Sequence, residues 1–235
     1  MTVREGLAFP VVGELIGGAL PYPTLGMVRG AAGAGKSILG AQFALEGLRR
    51  GEAALLVACE QPSQQVLAAL ARFGFNVHPY QVQERLAVLE YLPEHAGPRD
   101  WGDVQEFLYL LDESLRQLPR PCRVVVDSMS ALAVYYPPSE FLLLVYAKNR
   151  YLRRAGLAGL DLYLAQHVAE GHMYTLLNAY DLFLDLYFPE EKGDIPRRYL
   201  RLRKVRAAPF DARPYPYLIR PGQGLVLEAD FYAHG

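Results

Sequence analysis

Eight consecutive residues, Gly30-Ala31-Ala32-Gly33-Ala34-Gly35-Lys36-Ser37, fit the spacing G-x-x-x-x-G-K-[ST] of a phosphate-binding P-loop. Glycines and small alanines let a backbone wrap closely round a polyphosphate, its N–H groups pointing inward as donors. Lys36 then supplies a point charge for the β- and γ-phosphates, and the Ser37 hydroxyl a ligand for Mg²⁺. Ile38 follows in a helix whose positive dipole end faces the anion. Asp127 closes the apolar run Val124-Val125-Val126 and has the form of a Walker B acid, holding Mg²⁺ opposite Ser37. An Asp that merely starts a turn looks the same locally, and the upstream P-loop decides for the metal. Glu60 ends another apolar run and is the candidate general base for an attacking water. Gln166 bonds the γ-phosphate, positions water, or is structural; its surroundings leave these open.

Chemistry at these positions needs strands that end together, since ligands of open parallel sheets bind at the carboxyl ends of the strands. Leu25 to Val28 reads as a short buried strand before the loop, and Ser37 to Leu48 as a helix stopped by Arg49, Arg50 and Gly51. Further strands are predicted at Ala53 to Ala58, Leu86 to Leu89, Arg123 to Ser128 and Leu160 to Ala165. Helices are predicted at Ser63 to Phe73, with Ser63 as N-cap and Gly74 as stop, at Val104 to Leu118, and at Phe141 to Ala155. Met1 to Pro23 reads as loop with at most a turn of helix. The alternation predicts an α/β fold, a mainly parallel sheet with helices on both faces. From Leu182 the strands Leu182 to Phe188, Tyr199 to Lys204, Tyr217 to Ile219 and Leu225 to Leu227 leave no room for helices, which predicts an antiparallel extension. No linker or repeat divides the chain, so residues 1–235 read as one domain.

Composition narrows the function classes. With 235 residues, 51% of them hydrophobic, the chain can bury a sizeable core. A formal net charge of −1 gives no general attraction to nucleic acid or acidic membranes. Lys148, Arg150, Arg153 and Arg154 read as a solvated helix face, and neither they nor Arg197-Arg198 show the aromatic interleaving of a nucleic-acid groove. Cys59 and Cys122 read as buried thiols in a reducing compartment, with a disulfide between them left open. His167 and His172 lack the partners of a metal site. The absence of a leader signal or a bilayer-length apolar run predicts a cytoplasmic protein.

Five segments together resemble the RecA-type ATPase superfamily and, more narrowly, its KaiC-like branch. Gly13-Glu14-Leu15-Ile16-Gly17-Gly18-Ala19-Leu20-Pro21 is similar to the glycine-rich lead-in before Walker A, and Leu56-Val57-Ala58-Cys59-Glu60-Gln61-Pro62 to the catalytic segment. Val125 to Leu132 resembles the Walker B strand, Tyr180-Asp181-Leu182-Phe183-Leu184 the strand opening the C-terminal extension, and Leu200 to Arg206 the K-x-R strand. The resemblance implies a RecA-like three-layer fold, ATP with Mg²⁺ as ligands, and a hexameric ring. It also implies that Lys204 and Arg206 reach the γ-phosphate of the adjacent protomer. On that reading Leu200, Leu202, Lys204 and Arg206 share one strand face. The chain departs from the pattern at Gln61, where KaiC carries a second glutamate, at Ala19 and Ala207, where glycines are usual, and in having one ATPase module where KaiC has two.

Three functions fit these residues. One is a KaiC-like oligomeric ATPase in regulation or signalling, the reading preferred here. The others are a RecA/RadA-like recombination or repair ATPase, whose hydrolysis DNA would stimulate, and a nucleotide-gated interaction module with little turnover.

Overall fold

Apolar runs alternate along the chain with amphipathic ones, and in the computed structural model they become strands and helices around one nine-stranded sheet. The structure describes residues 6–92, 104–165, 170–189, 197–206 and 208–228, excluding the side chains of 170–174. Gln166, His167, Ala207 and the side chain of His172 lie outside the described residues. The elements run α1 (Pro10–Ile16), β1 (Leu25–Gly30), α2 (Lys36–Arg49), β2 (Ala53–Ala58), α3 (Ser63–Arg72), α4 (His78–Val82), β3 (Leu86–Glu90), α5 (Val104–Arg116) and β4 (Cys122–Asp127). They continue with α6 (Met129–Tyr135), α7 (Pro138–Arg154), β5 (Ala158–Leu164), α8 (Glu170–Ala179), β6 (Leu182–Tyr187), β7 (Arg198–Val205), β8 (Pro214–Arg220) and β9 (Gly224–Leu227).

The strand order is β3-β2-β4-β5-β1-β6-β7-β8-β9. The first six are parallel, so their carboxyl ends share one edge. The last three run antiparallel, as the helix-free spacing from Leu182 requires. Because strand side chains alternate, the sheet feeds two cores. Val28, Leu56, Val125 and Leu184 pack with α1, α2 and α3 on one face. Met27, Leu55, Val124 and Phe183 pack with α5, α6, α7 and α8 on the other. Amphipathic spacing does the matching: Val104, Phe107, Leu111 and Leu115 form the buried stripe of α5. Burying each such side chain contributes about 1.5–3 kcal/mol.

Two local expectations need correction. Of residues 1–23, read as loop, the described part from residue 6 onward is more ordered than loop chemistry predicts. Pro10 starts α1 at a position where its missing N–H costs nothing, Val11 and Val12 are buried, and Leu7 bridges Leu20. Ser63 is the first helical residue of α3 and not its N-cap. Pro62 holds the cap position, and the Ser63 N–H donates instead to the Glu90 carboxylate at 2.8 Å.

Buried charges in the described fold are paired. Arg123, fully buried, donates to both Glu52 oxygens at 2.8 Å and to the carbonyls of Ala8 and Phe43. It thereby fastens the segment before α1 to α2 and β4. Lys148 is not on the solvated face predicted for it: it lies buried on α7 against Asp161 at 2.8 Å. The disulfide left open by the sequence is ruled out. Cys122 pairs in register with Ala53, whereas the Cys59 N–H bonds Asp127 at the far end of the same two strands. That is roughly 16 Å of strand, beyond the Cα separation of about 7 Å a disulfide tolerates. Both thiols are free and buried, and burial pushes that of Cys122 up to about 12.

Candidate active site

The P-loop joins the end of β1 to the start of α2, at the carboxyl edge of the parallel strands. Gly33 and Gly35 have φ of 75° and 93°, the left-handed region that favours glycine. A Cβ on Gly35 would also sit 2.6 Å from the terminal methyl of Ile219, which would have to shift. Three contacts brace the loop from outside. The Ala31 N–H bonds the Leu186 carbonyl at 3.3 Å, the Tyr217 hydroxyl donates to the Ala34 carbonyl at 2.5 Å, and Arg198 reaches the Gly33 carbonyl at 3.4 Å. The Lys36 ammonium donates to the Ala31 carbonyl of its own loop at 3.0 Å. Burial lowers its pKa, against the opposing pull of Asp127 and Glu60.

Asp127 and Glu60 reach the same site because β4 and β2 are paired in register, Ala58 opposite Asp127. The Cys59 N–H bonds the Asp127 carbonyl at 2.8 Å and carries Glu60 over the strand end. Ser37 and Asp127 line the same cleft, where the Ser37 hydroxyl works to lower the pKa of the Asp127 carboxyl. Burial, then the Glu60 charge, pushes that carboxyl above the usual carboxylate range. A desolvated carboxylate beside a hydroxyl is a site that favours a cation. The Ser37 and Asp127 oxygens are hard donors that would suit Mg²⁺, which takes oxygen ligands. Among the described residues no group of three or more His, Cys, Asp or Glu side chains could cage a metal alone. Glu60 is exposed and accepts a short hydrogen bond from Ser128. Ile38, Ala41, Leu56, Val66 and Leu70 line a cleft of about 240 Å³ that opens on Ser37, Glu60 and Asp127.

Lys36, Ser37, Glu60 and Asp127 thus converge, whereas Lys204 and Arg206 lie elsewhere. Arg206 follows β7 at the opposite sheet edge, where it bonds Asp181 at 2.9 Å, and Lys204 donates to the Leu177 carbonyl at 2.5 Å. The expected sharing of one face by Leu200, Leu202, Lys204 and Arg206 is overturned by a bulge. Leu202 pairs with Leu184, but Lys204 pairs with Phe183, so Arg203 is an extra residue. Val205 takes the place beside the leucines, and Lys204 turns toward α8.

Sequence reasoning did not find Ser128, Arg198 or Tyr217. Ser128 directly follows Asp127, the candidate Walker B acid, a position that could have signalled it. Tyr217 reaches the loop across 183 residues of sequence, and no local pattern marks that contact.

A family model described as "ATPase: KaiC" matches residues 10–230. The chain belongs to the KaiC family of ATPase domains. Membership implies a nucleotide-binding domain. A UPF0273 protein of Pyrococcus horikoshii is 28% identical over 98% of this chain and 96% of its own length. The circadian clock oscillator protein KaiC of a Picosynechococcus strain is 26% identical over 92% of this chain, which spans only 41% of that longer protein. The crystal structure of a KaiC-like protein from Pyrococcus horikoshii superposes with a TM-score of 0.80 at 23% identity. The match covers 96% of this chain and 98% of that one, and establishes the RecA-like α/β fold with its antiparallel C-terminal strands. No helix among the described residues is long and apolar enough to cross a membrane.

Proposed function

We propose that residues 1–235 act as one domain that binds ATP with Mg²⁺ and hydrolyses it within a homo-oligomeric ring, in a regulatory or signalling role in the cytoplasm. The observation that carries this reading is the convergence of Lys36, Ser37, Glu60 and Asp127 at the carboxyl ends of β1, β2 and β4. Backbone N–H groups of Gly33 to Ser37 bind the phosphates, and the Lys36 ammonium exchanges the Ala31 carbonyl for a phosphate oxygen. Ser37 and Asp127 hold Mg²⁺, whose chemistry is to neutralise charge on the phosphates. Glu60, oriented by Ser128, accepts the proton of the attacking water.

Lys204 and Arg206 act in trans on this reading. About 16 Å of β1 separates Leu25, whose N–H bonds Asp181, from Gly30 at the P-loop. That span exceeds the reach of one side chain, so the two cations would serve a neighbouring protomer. Head-to-tail contacts of that kind close into rings, and the family resemblance suggests six members. The clock role of the longer KaiC is not carried to this chain.

An ATPase assay with and without single-stranded DNA, on protein sized in parallel with and without ATP, tests the reading. Hydrolysis that DNA leaves unchanged, with ATP-dependent assembly, supports it. DNA-stimulated hydrolysis would favour a recombination ATPase, and binding without turnover a nucleotide-gated module.

A further inference from the structure

Four arginines, Arg150, Arg153, Arg154 and Arg206, line one open cavity of about 320 Å³ where α7, α8 and the end of β7 meet. Asp181 pairs with Arg153 at 2.8 Å and with Arg206 at 2.9 Å. Arg150 and Arg154 have no ion pair among the described residues. Lys204 adds a fifth cation nearby, its ammonium pushed below the ordinary lysine range by burial and then by Arg206. Cations therefore outnumber acids around the cavity, and planar guanidinium groups match phosphate oxygens two at a time.

The ligand cannot be the nucleotide of the same chain, which binds at the other sheet edge. Two features point to a second copy. The outward stripe of α7 carries Leu143, 59% exposed, and then Tyr146, Arg150 and Arg154 at spacings of three and four, so apolar surface runs up to the cavity. On the proposed reading the opposite edge would offer complementary charge, the exposed Glu60 and the phosphates of a bound nucleotide. We infer that Arg150 contacts the terminal phosphate of a nucleotide held by a second copy of this chain, beside Arg206. This rests on the proposed action of Arg206 in trans.

The test uses full-length Arg150→Gln with MgADP and MgATP as probes. Its MgADP affinity should match wild type, which also shows that it folds. Its turnover should fall at least tenfold, and its ATP-dependent assembly in sedimentation velocity should weaken. Mixing it with Lys36→Ala subunits should restore turnover above either variant alone. Wild-type turnover and assembly in Arg150→Gln would overturn the inference. So would loss of single-stranded DNA binding with assembly intact, which would make the pocket a nucleic-acid site. If mixing Arg206→Ala with Lys36→Ala restores activity but the Arg150→Gln mixture does not, Arg150 has no trans role and the ring reading stands. If Lys36→Ala binds MgADP like wild type, the P-loop reading fails and this inference fails with it.

Discussion

The Ser128 hydroxyl donates to the Glu60 carboxylate, tying the residue after Asp127 to the candidate base. The contact crosses between two paired strands, β2 and β4, so the base is aimed by the sheet and not by its own loop. Glu60→Gln should keep ATP affinity and lower hydrolysis by about 10²–10⁴-fold. Ser128→Ala should leave the base present but less well aimed, with a smaller loss of about tenfold. Single-turnover hydrolysis beside calorimetric binding checks both, and unchanged turnover in Glu60→Gln would move the base elsewhere.

Asp127 makes a prediction about pH. Burial holds its carboxyl above the usual carboxylate range, so the fold disfavours the charged form relative to the unfolded chain. The stabilising contribution is whole below about pH 3.9 and is lost as pH rises through the raised value. Charging this carboxyl as pH rises therefore costs stability. Nucleotide-free Asp127→Asn should melt above wild type at pH 7, and the gap should narrow as pH falls toward 4. The same variant should need more Mg²⁺ for turnover, and raising the metal should partly rescue it. A melting point below wild type at pH 7 would contradict this account.

The parallel sheet and the P-loop site were legible because their signals are local. An apolar run such as Ala53 to Ala58 has one reading, and G-x-x-x-x-G-K-S fixes its own turn. Asp127 and Glu60 were legible because each ends such a run. The bulge at Arg203 was not, since a strand's phase carries no mark of an extra residue until its partner is known. Nor was α1, whose order comes from Leu7 pairing with Leu20 and from Arg123 holding the Ala8 carbonyl, contacts made at a distance. Lys148 looked like a surface cation because its partner, Asp161, stands on a strand thirteen residues away.

Arg123 tests the structural side. Arg123→Ala would leave Glu52 without its guanidinium and strip donors from the Ala8 and Phe43 carbonyls. Breaking a buried pair from one side costs about 3–5 kcal/mol. Denaturant unfolding should show a loss of that size, and a change below about 1 kcal/mol would mean the pair contributes little.

The trans reading of β7 is tested by mixing. Arg206→Ala should lose turnover at least tenfold while still binding ATP, since finger residues act on charge that develops in phosphoryl transfer. Lys36→Ala subunits supply an intact Arg206, and Arg206→Ala subunits an intact P-loop. A mixture should exceed either variant alone. Co-assembly without recovery would rule out the finger in trans.

Gly33 to Ser37 are assigned here as the nucleotide-binding loop, and calorimetry of MgATP binding to wild type and Lys36→Ala checks that assignment. The Lys36 ammonium should contribute a charge-assisted phosphate contact of about 1.5–3 kcal/mol, so the variant should bind at least tenfold more weakly. Equal affinity in the two proteins would contradict the assignment of the site.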